Sequence, residues 1–364
     1  MEFIDLKKQQ EKIRSKVEKR IHAILNHGKY IMGPEVYELE EKLADYVGVN
    51  YCVSCASGTD ALLIPLMAKG IGPGDAVITT PFTYIATAEV ISLLGARPIF
   101  VDIYPETFNI NPSKIDKAIE AAKKINLNPK AIISVDLFGL PARYRLLEKI
   151  AKKYSLFLIE DAAQGFGGTI RERKTGGFGH VASTSFFPAK PLGCYGDGGA
   201  IFTNDENLAE TMKSLRVHGS SNSDKYDNVR IGINGRLDTI QAAIILEKLS
   251  IFDMELELRK KSADYYNEKI KNIYIKQHIP KGYFSSRAQY SLLASSEKQR
   301  NRIMGLLKKL NIPTMIYYKI PLHLQRCFKS LRYQVGDFPI SEDCSSRIFS
   351  IPMHPYLITD QQDF

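Results

Sequence analysis

A lysine can act as a nucleophile only once it has lost its proton, and at an ordinary pKa of about 10.4 it does so only where burial or nearby cationic character lowers that value. Lys190 is placed for this. It follows the apolar run 181–187, stands among Phe186, Phe187, Pro188 and Pro191, and leads into Gly193, Gly196, Gly198 and Gly199. A neutral amine there can bond an aldehyde carbon of a bound group and afterwards carry a proton between two carbons. Asp161 ends another apolar run, Leu158-Ile159-Glu160. A carboxylate at the C-terminal end of such a strand can keep a pyridine nitrogen protonated, and the small Ala163 leaves room for a flat ring. A third segment, Ser57-Gly58-Thr59-Asp60, follows the run 51–54 and opens a helical stretch, where free N–H groups and the Thr59 hydroxyl can bind phosphate. Each of these two segments also has a plainer reading, an acid or hydroxyl that only caps the next helix. Taken alone, neither segment separates the two readings.

Short β-rich runs at 51–54, 76–79, 98–102, 131–137, 156–160, 181–187 and 199–203 alternate with helical stretches. This alternation predicts an α/β domain with a mostly parallel central sheet. Amphipathic helices are expected over 7–25 and 35–47, and an almost unbroken helix from Asp238 to Lys271. Strands at 289–294, 314–318 and 348–351 around a helix at 298–310 suit a small α+β domain. The expected division is therefore 1–250, an N-terminal helix with the large α/β domain, and 251–364, a linking helix with the small domain. A chain of 364 residues, 44% of them hydrophobic, has enough material for both.

Composition narrows the class. Cys52, Cys55, Cys194, Cys327 and Cys344 are odd in number and scattered, which fits free thiols in a reducing compartment. The Cys52-x-x-Cys55 spacing lacks a second pair or a suitable histidine, and the seven histidines form no zinc pattern, so no metal is expected. The start of the chain resembles no secretory signal and no apolar run is long enough for a membrane span, which makes the cytoplasm the expected location. A net charge of +9 fits an anionic small ligand as well as nucleic acid, but the lysine pairs lie among acids on helix faces and no nucleic-acid-binding signature accompanies them. Neither a nucleic-acid nor a membrane partner is expected.

In this order, Ser57–Leu62 (S-G-T-D-A-L), Pro81–Thr87 (P-F-T-Y-I-A-T), Ile159–Gln164 (I-E-D-A-A-Q), Ser185–Ala200 (S-F-F-P-A-K-P-L-G-C-Y-G-D-G-G-A) and Ile233–Ala243 (I-N-G-R-L-D-T-I-Q-A-A) resemble the DegT/DnrJ/StrS-type sugar aminotransferases. The likeness runs from Glu2 to about Tyr356, and the segments 2–10, 27–36 and 191–205 look closest to the UDP-2-acetamido-2-deoxy-3-oxo-glucuronate aminotransferases of bacterial surface-polysaccharide (O-antigen) pathways. The resemblance implies the aspartate-aminotransferase-like fold (fold-type I), pyridoxal 5′-phosphate as cofactor, and amino transfer, with glutamate as donor, to a keto sugar carried by a nucleotide. It makes Lys190 the lysine that bonds the cofactor, Asp161 the partner of the pyridine nitrogen and Gln164 a donor to the ring hydroxyl. Gly58, Thr59 and Ser185 would hold the phosphate, and Tyr84 would stack on the ring. Asn234 would reach the phosphate in a neighbouring subunit, which implies a homodimer with shared sites. For the sugar nucleotide the resemblance implies Gly28, Tyr30, Ala189, Arg236, Tyr317 and Tyr318; the lesser alternative for Arg236 is a structural partner of Asp238 or Asp227.

The chain departs from this pattern in three places. Relatives carry Ser at the position of Ala189 and His-Tyr at Tyr317-Tyr318, and they continue through a final helix where this chain stops, so that helix is expected to be missing or cut short. The related sugar dehydratases have histidine in place of the lysine, so Lys190 argues against them. A nucleotide-dependent dehydrogenase would need a glycine fingerprint after its first strand, where Ser57-Gly58-Thr59 stands instead.

Overall fold

The computed structural model describes residues 1–221, 224, 226–270 and 273–357. Helices α1 (Leu6–His27) and α2 (Pro34–Val47) come first, each closed by a glycine in the left-handed region, Gly28 at φ 68° and Gly48 at φ 82°. Strand β1 (Tyr51–Cys55), helix α3 (Gly58–Ala68), strand β2 (Asp75–Thr79), helix α4 (Ala86–Leu93) and strand β3 (Arg97–Phe100) follow. Next come α5 (Ile115–Lys124), β4 (Asn128–Val135), α6 (Tyr144–Tyr154) and β5 (Phe157–Asp161). A small hairpin, β6 (Thr169–Ile170) and β7 (Arg173–Lys174), precedes β8 (Val181–Ser185), β9 (Gly199–Thr203) and α7 (Glu206–Arg216). The seven-stranded sheet has the order β1-β9-β8-β5-β4-β2-β3, with β9 antiparallel to both its neighbours and the remaining pairings parallel. This is the mostly parallel α/β sheet expected, and buried aliphatic clusters cover both its faces. Cys52 and Cys55 fall into different clusters, so the Cys-x-x-Cys spacing does not bring the thiols together as one ligand pair.

The predicted single helix from 238 to 271 is two: α8 (Thr239–Leu249) and α9 (Phe252–Ile270). At the break the Ser250 hydroxyl donates to the carbonyl of Glu247 at 2.7 Å, a local bond that competes with the helix ladder. After α9 come β10 (Ile275–Lys276), β11 (Tyr283–Phe284), β12 (Tyr290–Leu293), α10 (Glu297–Lys309), α11 (Pro339–Arg347) and β13 (Ile348–Ile351). Strands β10, β12 and β13 form one three-stranded sheet, and β11 joins the hairpin of β6 and β7 in another. The strand expected at 314–318 is reduced to a single bridge, Met315 to Ser350, because the chain beyond it leaves the sheet and sends Tyr317 and Tyr318 into a cavity. Residues 358–364, where the final helix of relatives would begin, lie outside the described residues. No helix among the described residues is long and apolar enough to cross a membrane.

Behind the sheet edge lies a buried carboxyl pair. Asp136, just after β4, accepts from the Ala142 N–H at 2.9 Å and the Tyr144 hydroxyl at 2.8 Å, while Glu160 of β5 accepts from the N–H groups of Gly176 and Phe178. The two carboxyls also meet each other; burial, first, and their mutual charge drive Asp136 up, and burial pushes Glu160 up to about 7. The folded pair therefore keeps a proton that the unfolded chain releases above about pH 4, so the stability it contributes falls as the pH climbs from about 4 towards 7. Asp136→Asn should flatten that slope: the unfolding free energy of the wild type, measured against this variant from pH 5 to 8, is expected to decline by up to about 1.4 kcal/mol per pH unit. Parallel curves for the two proteins would show that no proton is held there.

Candidate active site

The loops at the C-terminal ends of β1, β5 and β8 converge on a cavity of about 380 Å³. Helix α3 starts there, its N-cap Ser57 accepting the N–H of Asp60 at 3.0 Å. A Cβ on Gly58 would lie 2.5 Å from the Cβ of Ser185, so only glycine lets the start of α3 approach the end of β8 this closely. The first N–H groups of α3 have no carbonyl one turn back, and with Thr59 and Ser185 beside them they form a cradle for an anion.

Across the cavity stand Asp161 and Lys190. Asp161 is buried; its Oδ2 accepts from the Thr87 hydroxyl at 2.9 Å and its Oδ1 from the Ala163 N–H at 3.2 Å. Burial pushes this carboxyl up, and the two donors with the charge of Lys190 act against that push. Lys190 opens towards the cavity but is otherwise enclosed, and desolvation lowers its pKa while Asp161 opposes the shift. Its loop is pinned at both ends: Phe186 donates its N–H to the carbonyl of Gly198 and Cys194 donates to the carbonyl of Phe186, each at 2.7 Å, and Tyr195 donates to Gln241 Oε1 at 3.0 Å. Gln164 accepts the Phe138 N–H at 2.8 Å and donates to the Tyr318 hydroxyl at 3.0 Å, which leaves one amide hydrogen for a ligand. Tyr84, 58% exposed, stands at the mouth, 6.5 Å from the ring of Tyr318.

The structure thus brings together Gly58, Thr59, Tyr84, Asp161, Gln164, Ser185, Ala189, Lys190, Tyr317 and Tyr318. Gly28, Tyr30, Asn234 and Arg236 do not line this cavity. They form a second group, in which Tyr30 accepts the N–H of Thr239 at 3.0 Å and Arg236 Nη2 donates to Asn234 Oδ1 at 2.7 Å. The contact of Arg236 is thus Asn234; no ion pair of Arg236 with Asp238 or Asp227 is found among the described residues. Sequence reasoning gave no role to Ile4, Thr87 and Gln289, which also line the cavity. Thr87 had a readable signal, since it falls one helical turn after Tyr84; Ile4 and Gln289 come from distant parts of the chain and had none. A larger and more open hollow of about 1170 Å³, lined by Asn128, Leu156 and Gly179, lies at the opposite edge of the sheet. None of its lining side chains holds a buried polar atom without a partner.

An anion cradle, a desolvated lysine and a carboxylate held at the far side of a flat cavity, all on the C-terminal edge of one sheet, define an enzyme built around a phosphorylated pyridine aldehyde. The chain belongs to the DegT/DnrJ/EryC1/StrS aminotransferase family, whose model matches residues 11–364. It is 46% identical over 99% of its length to the UDP-2-acetamido-2-deoxy-3-oxo-D-glucuronate aminotransferase of Pseudomonas aeruginosa, covering 96% of that protein. Among solved structures it matches a DegT DnrJ EryC1 StrS aminotransferase from Brucella abortus with a TM-score of 0.96 and 50% identity, covering 100% of this chain and 96% of that one. NtdA from Bacillus subtilis with bound cofactor PMP matches with a TM-score of 0.87 and 29% identity, over 96% of this chain and 79% of that one. The protein is an aminotransferase and its cofactor is pyridoxal 5′-phosphate, a group that the Gly58–Ser185 cradle and the Lys190–Asp161 pair fit.

Thr87 lines the cavity beside Asp161 and donates to its Oδ2, so removing its hydroxyl leaves a buried carboxylate with one donor fewer. Thr87→Val is expected to weaken cofactor retention about tenfold, the scale of one hydrogen bond to a charged group, in a spectroscopic titration of the apoenzyme. Unchanged retention would show that the Thr87 bond does not support the ring-nitrogen contact.

Proposed function

We propose that the protein transfers the amino group of glutamate to a UDP-linked 2-acetamido-2-deoxy-3-oxo sugar, a hexuronate, in the cytoplasmic synthesis of bacterial surface polysaccharide (O-antigen). The likeness to the Pseudomonas aeruginosa enzyme over nearly the whole of both chains carries the substrate reading. The placing of Lys190 against Asp161 carries the assignment of roles. We take 1–250 and 251–364 as the large and small domains, since the seven-stranded sheet lies wholly before residue 250 and the sheet of β10, β12 and β13 wholly after it.

Bound pyridoxal phosphate supplies an electron sink for the carbon that exchanges its amino group. The chain's own residues do the rest. Gly58, Thr59 and Ser185 bind the phosphate, and Asp161 holds the pyridine nitrogen protonated while Thr87 keeps the carboxylate turned towards it. Gln164, with one amide hydrogen left over from its bond to Tyr318, would donate to the ring hydroxyl, and Tyr84 would cover a face of the ring. Lys190 would hold the cofactor's aldehyde carbon, and as a free base its Nζ would serve to take a proton from the substrate carbon and to give one back. Tyr317, Tyr318 and the small Ala189 face the sugar.

The second group of residues is assigned to a partner copy. Tyr30, Ile31, Val229 and Ile231 leave large apolar surfaces exposed, Ile231 to 88%, on the segments that flank Asn234 and Arg236. Covering them in a homodimer would carry Gly28, Tyr30, Asn234 and Arg236 to the other subunit's cavity, with Arg236 able to grip a uronate carboxylate. Lys190→Ala should abolish both the glutamate-dependent conversion of the cofactor to its aminated form and amination of the sugar. Mixing it with Asn234→Ala should restore part of the activity, because a hybrid dimer holds one site with both residues intact; a fully active monomer in sedimentation rules out shared sites. Arg236→Ala should lower kcat/KM for the uronate about tenfold or more and spare the glutamate half-reaction. Equal losses on uronate and neutral 3-oxo sugars would move the reading to a neutral sugar, the direction in which Tyr317 in place of histidine points.

A further inference from the structure

Just ahead of α1, Phe3, Ile4 and Asp5 do not trail into solvent. The carbonyl of Phe3 accepts the N–H of Met353 at 3.3 Å, and the ring of Phe3 meets that of Tyr317 edge-on, 6.3 Å between centroids at 63°. Ile4 reaches the cavity that holds Lys190. Asp5 caps α1 by accepting the Lys8 N–H at 3.0 Å, which fixes where the segment leaves the helix. One turn on, Gln9 donates to both oxygens of Glu255, at 3.0 and 2.8 Å; the hydroxyl of Tyr356 donates to the same carboxylate, and Arg259 Nη1 donates to the carbonyl of Met353 at 3.3 Å. Glu255 is 1% exposed, so this anchor is internal. The first residues of the chain are thus tied to α9 and to the stretch 353–356.

We infer that this segment is a specificity-determining wall of the active site, with Ile4 packing on the sugar and Phe3 setting the position of Tyr317. The inference rests on the sugar reading above. It follows from the chemistry of the wall: Ile4 is aliphatic, Tyr317 and Tyr318 add aromatic surface, and burial keeps both phenols neutral by pushing them up. A pyranose presents C–H groups on its faces and packs well on such surface, as does the methyl of an acetamido group. Glutamate is short, carries two carboxylates, and gains nothing from an apolar wall. The two substrates of a two-stage amino transfer use one cavity in turn, and a surface that favours only the second separates their affinities without touching the cofactor.

The test measures the two half-reactions separately, by the cofactor spectrum, in wild type, Ile4→Ala, Ile4→Leu and Phe3→Ala. Ile4→Ala is expected to lower kcat/KM for the UDP-3-oxo sugar about tenfold while glutamate conversion stays within about twofold, with Ile4→Leu near wild type and Phe3→Ala behaving like Ile4→Ala. A loss shared equally by both half-reactions overturns the inference, since the segment then acts on the fold or the cofactor. No loss in either also overturns it. A wild type that converts with glutamate but aminates none of the UDP-3-oxo sugars overturns the sugar reading itself, and the wall with it; a wild type competent in both stages with an unaffected Ile4→Ala overturns the wall alone.

Discussion

The site depends on one electrostatic constraint: a lysine amine and a carboxylate share a small cavity in which bulk water screens neither of them. Desolvation drives both towards their neutral forms, and each charge partly restores the other. For the chemistry the two must part ways, Asp161 staying an anion while Lys190 becomes a free base. The donors from Thr87 and the Ala163 N–H serve only the carboxylate. Among the described residues no comparable donor or acceptor is fixed on the Lys190 amine, so desolvation dominates there.

Holding those groups on one small cavity requires close backbone packing at the strand ends. Gly58 allows α3 to start against Ser185, and a Cβ on Gly165 would fall 2.4 Å from the Cβ of Asp136, so the turn after Asp161 sits directly on the residue that follows β4. The Asp136–Glu160 pair, both carboxyls pushed up by burial, lies behind this turn. A buried pair of carboxyls is a poor source of stability, yet it joins β4 and β5 to the turns at Ala142–Tyr144 and Gly176–Phe178. The same turn carries Gln164, whose Oε1 takes the Phe138 N–H, so the ring-facing amide is oriented by backbone rather than by another flexible side chain.

The parts legible in the sequence were those with a short-range period. Every strand of the large sheet was placed by its apolar run, and of the ten site residues that fell into one cavity, eight sit at the end of a strand of that sheet or just after it. What failed had local chemistry that outweighs periodicity, or long-range causes. The apolar face of 239–270 continues across residue 250, where the break coincides with the local bond of the Ser250 hydroxyl to Glu247 and a tight turn from Ile251 to Lys248. Residues 314–318 read as a strand because they are apolar and aromatic, but Tyr317 and Tyr318 spend that character on the cavity. The hairpin of β6 and β7 has two residues per strand and gains its third partner from β11 more than a hundred positions later, which no window could contain. Ile4 belongs to the same kind: nothing near it in sequence shows that it faces Lys190.

The remaining question is charge. A cofactor phosphate brings close to two negative charges to the start of α3, and a helix N-terminus answers with roughly half a positive one. Among the described residues the only basic side chain on the cavity is Lys190, on the far side and needed as a free base. Thr59 and Ser185 add hydrogen bonds but no charge. A second anion, the diphosphate of a sugar nucleotide, would deepen the deficit. The proposed shared site answers it: Asn234 and Arg236 already lie together on a surface flanked by exposed apolar residues, and the guanidinium is preorganised by its bond to the Asn234 amide. Supplied from another copy, that pair would bring a donor and a cation that the single cavity lacks. It would also tie cofactor retention to assembly, because the chain that lends Arg236 is the one whose own cavity goes uncompensated when the pair separates.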